Sequence, residues 1–132
     1  MSMKTLDLVL KRKWYDMIDS SVKTEEYREI KPYWIKRLIE ERDPSHHDYY
    51  ERITRNRAEF FCARDILLQY YLEESFVRYK DFDTVTFHLG YAKNRPSMTF
   101  QIKDIAISRG KPEWGAEVGE SYFVIELGKR MS

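Results

Sequence analysis

The sequence predicts an α+β fold: a small antiparallel or mixed β-barrel of five or six strands, flanked by helices and carrying a helical insertion at about 43–81. Three observations predict it. Period-two alternation marks residues 4–11, 84–91 and 97–108. Apolar stripes at helical spacing are confined to the first third of the chain. A long stretch without Gly or Pro, 49–80, separates the two regions. Because helix–strand alternation stops so early, an antiparallel barrel decorated by helices accounts for the pattern better than a parallel fold.

Each element follows from its residues. "KTLDLVLK" (4–11) sets Leu6, Leu8 and Leu10 against Asp7, Val9 and Lys11, a half-buried strand. In "RKWYDMIDSSV" the period changes, with Trp14, Met17 and Ile18 at i, i+3 and i+4, a short helix ended by Ser20 and Ser21. "KTEEYREI" (23–30) is extended again: Thr24, Glu26, Arg28 and Ile30 share one side, and Lys23, Glu25, Tyr27 and Glu29 the other. Pro32 suits the first turn of a helix over 32–42 that buries Trp34, Ile35, Leu38 and Ile39. Pro44 makes 43–48 a loop, and 48–74 reads as one or two helices with Phe61, Ile66, Leu67 and Leu68 among the apolar positions. Strands at 84–91 and 97–108 flank turn chemistry in "KNRP", and a phase slip at Lys103–Asp104 predicts a bulge. A Gly/Pro loop then leads to a closing strand at 121–130.

Length and charge bound the rest. A chain of 132 residues is one domain, 1–132, large enough to fold without metal or disulfide. With 23 basic and 22 acidic residues, no whole-molecule field draws in polyanions, so nucleic-acid contact needs a local patch. Cys62 is alone, which excludes an internal disulfide and suits a cytoplasmic setting. The apolar run "LDLVL" precedes its positive charges, the reverse of a signal peptide, and no run approaches the roughly 18 apolar residues of a membrane span. His46, His47 and Asp48 lack the spacing of a zinc site, and "SRGKPEWG" lacks the order of a phosphate loop; no metal or cofactor is expected.

The candidate site is the charged stretch at 20–34. Glu26 and Arg28, two apart on a strand, point the same way and are close enough to pair. Arg28 offers a planar fork for phosphate or carboxylate, with Glu26 holding it or accepting from a base edge. Lys23, beside a turn, adds a point charge. If the protein is an enzyme, Glu26 is the general base and Lys23 the electrostatic stabiliser. Tyr91 and Arg95, in "GYAKNRP", sit on a loop placed to overhang the cleft, with Tyr91 as a stacking residue. Trp14 and Trp34 read as core, and Trp114 as the anchor of its loop. Arg52, Arg55, Arg57 and Arg64 interleave with Tyr49, Tyr50, Phe60 and Phe61, the pattern of an amphipathic cover for the barrel more than of an RNA-facing arm.

Strand, short helix, then Ser21-Val22-Lys23-Thr24-Glu25-Glu26-Tyr27-Arg28 leading a second strand resembles the Gly-x-Lys-x-x-Glu-x-Arg signature of the ASCH domain, a relative of the PUA barrel. "FHLGYAKNRPSMTF" and "GKPEWGAEVGESYFVIELGKR" resemble a bacterial branch, and the likeness covers 4–42 and 82–130. The resemblance implies a PUA-like barrel with a signature-lined cleft for RNA or a nucleotide-like ligand. It also implies an alternative, a hydrolase of the nucleoside amidohydrolase or ribonuclease kind. In the amidohydrolase branch a Thr lies three residues after the Lys; Glu26 stands there, so that acyl-enzyme route does not carry over. Ser21 replaces the usual Gly, which matters if the turn needs positive φ.

Overall fold

The computed structural model describes residues 4–55 and 64–132. Strand β1 (Thr5–Leu10) leads into helix α1 (Arg12–Asp19), strand β2 (Glu25–Glu29) and helix α2 (Pro32–Leu38). A short strand β3 (Ile39–Glu41), helices α3 (His47–Thr54) and α4 (Arg64–Glu73) and a short strand β4 (Val77–Tyr79) make up the insertion region. Strands β5 (Thr84–Leu89), β6 (Ser97–Arg109) and β7 (Ser121–Arg130) complete the chain.

The main sheet runs β1-β5-β6-β7-β2, with β1 parallel to β5 and every other pair antiparallel, so it is mixed. It curls into a half-barrel whose free edges are β1 and β2. One side chain spans those edges: Arg28 Nη2, from β2, donates to the Val9 carbonyl of β1 at 3.2 Å. The alternation read in β1 holds, with Leu6, Leu8 and Leu10 buried and Thr5 and Asp7 exposed. These leucines join Val85, Phe87, Met98, Phe123 and Ile125 in one core. Ile53, Leu68 and Tyr71 of the insertion belong to the same cluster, each no more than 2% exposed. The described part of the insertion is therefore built into the core, and Arg52 donates to the Tyr71 hydroxyl at 3.3 Å. Arg57, Phe60, Phe61 and Cys62 lie outside the described residues. No described helix is long and apolar enough to cross a membrane.

Several boundaries differ from the sequence reading for identifiable reasons. The helix expected to 42 ends at Leu38, because Ile39–Glu41 pairs with Val77–Tyr79 as a separate antiparallel ribbon. That pairing overrides local propensity and buries Ile39 completely. The loop expected at 43–48 contains a turn of 3₁₀ helix at Pro44–His46, capped by the Asp43 side chain, and α3 follows at once. The phase slip expected at Lys103–Asp104 is present as register shifts on either side of Ile102.

The turn before β2 fixes the site's geometry. After α1, Ser21 N donates to Ile18 O and Val22 N to Met17 O, a Schellman closure with Ser21 at C′. Ser21 accordingly has φ +65°, a left-handed backbone that glycine adopts without strain. Ser21→Gly is expected to raise the unfolding free energy by about 1 kcal/mol, and Ser21→Val to lower it by at least as much, measured by urea denaturation. Lys23 N also donates to Met17 O, so the chain is still turning at Lys23 and the strand starts only at Glu25.

Candidate functional site

The late start of β2 decides where the three signature side chains go. Glu26 and Arg28 share a side, as two strand residues two apart must. Lys23 precedes the strand and is not bound by its alternation, so the expectation that it faces away from Glu26 fails. Its ammonium donates to Glu26 Oε1 at 2.7 Å and to the Glu25 carbonyl at 2.6 Å. Arg28 Nη1 donates to Glu26 Oε2 at 2.5 Å and to the Tyr27 carbonyl at 3.0 Å. One carboxylate thus holds a cation on each oxygen. Lys23 is 1% exposed and Glu26 5%, so this is a buried ion-pair chain and not a surface pair.

The aromatic surroundings complete the arrangement. The Lys23 ammonium lies 4.9 Å from the Tyr27 ring centroid and 5.6 Å from that of Trp14. Burial pulls the ammonium below the usual lysine range, opposed by Glu26. Tyr27 points to the other side of β2, where it packs with Ala116 and Val124 beneath the 110–120 loop. Its hydroxyl donates to Glu25 Oε1 at 2.8 Å and accepts from Lys111 N at 3.0 Å. Burial raises the phenol well above its ordinary value, partly offset by the Lys111 amide. Gly110 is required at this contact: a Cβ there would sit 2.7 Å from the Ala116 Cβ and 2.8 Å from the Tyr27 ring.

Around the seam lies a cleft of about 670 Å³. Glu26 and Arg28 line it, and so do all three tryptophans of the chain, Trp14, Trp34 and Trp114. Trp14 and Trp34, read from the sequence as core, are half-buried and present part of their surface to the cleft. Trp114 does anchor its loop, packing against the Tyr27–Ala116–Val124 cluster. Arg28 stacks over Trp34 at 5.0 Å from the ring centroid, and its buried Nε has no hydrogen-bond partner among the described residues. Among the described residues lining the cleft there are five carboxylates and three cations. On its rim Lys31 is paired with Glu29 at 2.6 Å.

The other expected residues fall elsewhere. Lys23 lines neither this cleft nor the hollows beside it; it reaches the site only through Glu26. Tyr91 is 86% exposed and lines an adjoining hollow of about 500 Å³. Arg95 is spent on its own loop, donating to the Gly90 carbonyl at 2.9 Å, and lines none of the three. The sequence reading missed Tyr122 as a cleft residue and Arg37 as more than a solvated charge. Tyr122 follows Ser121 on β7 opposite Glu29, so strand register was the only signal for it. Comparison with family models, with curated proteins and with solved structures gave no match.

Proposed function

We propose that the protein binds a nucleotide-like ligand, with a planar heteroaromatic group seated in the tryptophan-lined cleft beside Glu26 and Arg28. The carrying observation is that every tryptophan of the chain lines one hollow next to a desolvated Glu–Arg pair. Ligand sites are concave, and base–aromatic stacking supplies about 1–3 kcal/mol per base. Arg28 keeps donor capacity beyond its bonds to Glu26, Tyr27 and Val9. The resemblance of residues 21–28 to the ASCH signature, and with it a PUA-like barrel, supports the same reading.

The hydrolase reading is the weaker one. Glu26 as general base needs an oxygen open to the substrate, yet Oε1 accepts from Lys23 and Oε2 from Arg28, and the side chain is buried. The excess of carboxylates argues against a polyphosphate buried in the cleft.

Tryptophan fluorescence tests the proposal directly. Titration with nucleoside monophosphates is expected to give a saturable change, and Trp114→Ala to weaken binding at least about fivefold, the low end of a lost stacking contact. A panel of all common nucleosides and their monophosphates that gives no saturable response overturns it.

A further inference from the structure

The insertion contributes to the tryptophan cleft a cation that the signature does not contain. Arg64 of α4 lines the cleft together with Arg28 and Trp114, yet it is only 6% exposed. Its Nη2 donates to the Arg55 carbonyl at 2.9 Å, which ties α4 to the end of α3. Among the described residues that carbonyl is its one acceptor, its buried Nε has no partner, and no carboxylate pairs with it. Arginine stays charged at any working pH, so a guanidinium taken out of water calls for a counter-ion. Lys23 and Arg28 find theirs in Glu26. Arg64 does not.

Charge at the cleft is divided between buried and exposed groups. The buried side holds Lys23, Arg28 and Arg64 against the single carboxylate of Glu26, which leaves two positive charges uncompensated. The carboxylates that outnumber them in the lining are mostly outside: Glu117 and Glu120 are exposed, and Glu29 is exposed and paired with Lys31. Water and salt screen those outer acids, whereas the buried cations keep their field. A terminal phosphate monoester carries about −1.5 to −2 charge at neutral pH and three acceptor oxygens. It matches the buried excess and the forked donors of arginine, where a carboxylate or an internal phosphodiester cancels only one charge. A chain of phosphates would have to run past the outer carboxylates.

We infer that Arg64 is the seat of a terminal phosphate monoester in this cleft, with Arg28 as the second donor. The inference goes beyond the reading of the tryptophans: it assigns the anionic group and does not require that the ring they hold be a nucleobase. It also gives the insertion a part in recognition, since the residue that takes the phosphate comes from α4 and the residues that hold Glu26 come from the turn and strand before it.

The test titrates phenyl phosphate, benzoate and benzyl alcohol at constant ionic strength, followed by tryptophan fluorescence. Wild type is expected to bind phenyl phosphate saturably, and benzoate at least about fivefold more weakly. Arg64→Gln, which keeps an amide donor for the Arg55 carbonyl, is expected to weaken phenyl phosphate at least about tenfold and to leave benzyl alcohol within about twofold. Wild type supplies a second readout that needs no variant. Raising the pH from about 5 to about 7.5 is expected to strengthen phenyl phosphate at least about threefold, because its second proton leaves near pH 6, with benzoate unchanged. Absence of phenyl phosphate binding overturns the inference, and so does an affinity no better than that of benzoate. An affinity that survives Arg64→Gln, or a pH response shared by benzoate, does the same. A phosphate-free nucleoside that still binds in any of these cases leaves the cleft reading standing on its own.

Discussion

Glu26→Ala is expected to lower the unfolding free energy by about 3–5 kcal/mol, the range for breaking a buried pair by removing one partner. The substitution leaves the Lys23 ammonium 1% exposed, with only the Glu25 carbonyl as acceptor. It also strips the strongest bond from the Arg28 guanidinium that joins β2 to β1. Lys23→Met is expected to be milder, because Glu26 retains Arg28 and the methionine fills the lysine's volume between Trp14 and Tyr27. The double change Lys23→Met/Glu26→Leu should be less damaging than Glu26→Ala alone, since no uncompensated charge remains. Urea denaturation of the set measures this. A loss below about 1 kcal/mol for Glu26→Ala would mean that the three groups are solvated, as an exposed pair is.

Stability is expected to fall steeply above pH 10. Burial raises the phenols of both Tyr27 and Tyr79, and the Tyr79 hydroxyl is buried without a partner among the described residues. A raised folded value means that the native state keeps its protons while the unfolded chain releases them from about pH 10 upward. The stabilisation is therefore complete below pH 10 and is lost as pH rises through the folded values, by about 1.4 kcal/mol per pH unit for each phenol. Lys23 has the opposite sign. Its folded value is lowered, so the native state binds fewer protons in the range just below 10.5, and stability gains with pH until the unfolded lysine has also titrated. The expected profile rises weakly toward pH 10 and then drops. Denaturation midpoints at pH 8, 10 and 11.5, with phenolate absorbance at 295 nm, check it, and Tyr79→Phe should reduce the alkaline slope. Full phenolate absorbance by pH 11.5 without unfolding contradicts the burial of these two rings.

How much of this was legible in the sequence follows from which residues obey a simple period. β1 and β5 do, and their boundaries lie within two residues of the reading because one face is apolar and the other polar; β7 buries Phe123, Val124 and Ile125 in succession and was bounded by the Gly/Pro loop before it. The Glu26–Arg28 pairing needed only the two-residue repeat. Lys23 was misplaced because a period was extended two residues before the strand, into a turn held by Met17 O. Ile39–Glu41 misled because a helical pattern continues through it, and only Val77–Tyr79, far along the chain, reveals the ribbon. The place of Arg37 was invisible for a related reason. Arg37 and Asp7 meet through a bond across 30 residues, and no local signal distinguishes that arginine from a solvated one.

The central claim is that the three tryptophans form a single ligand site around the Glu26–Arg28 seam. The indole N–H resonances of Trp14, Trp34 and Trp114 report on it without ambiguity, because each can be assigned by substituting one ring at a time. On titration with the nucleoside monophosphate that binds best, at least two of the three are expected to shift along one saturation curve. Saturable binding that leaves all three indole resonances in place would locate the ligand elsewhere and contradict the account.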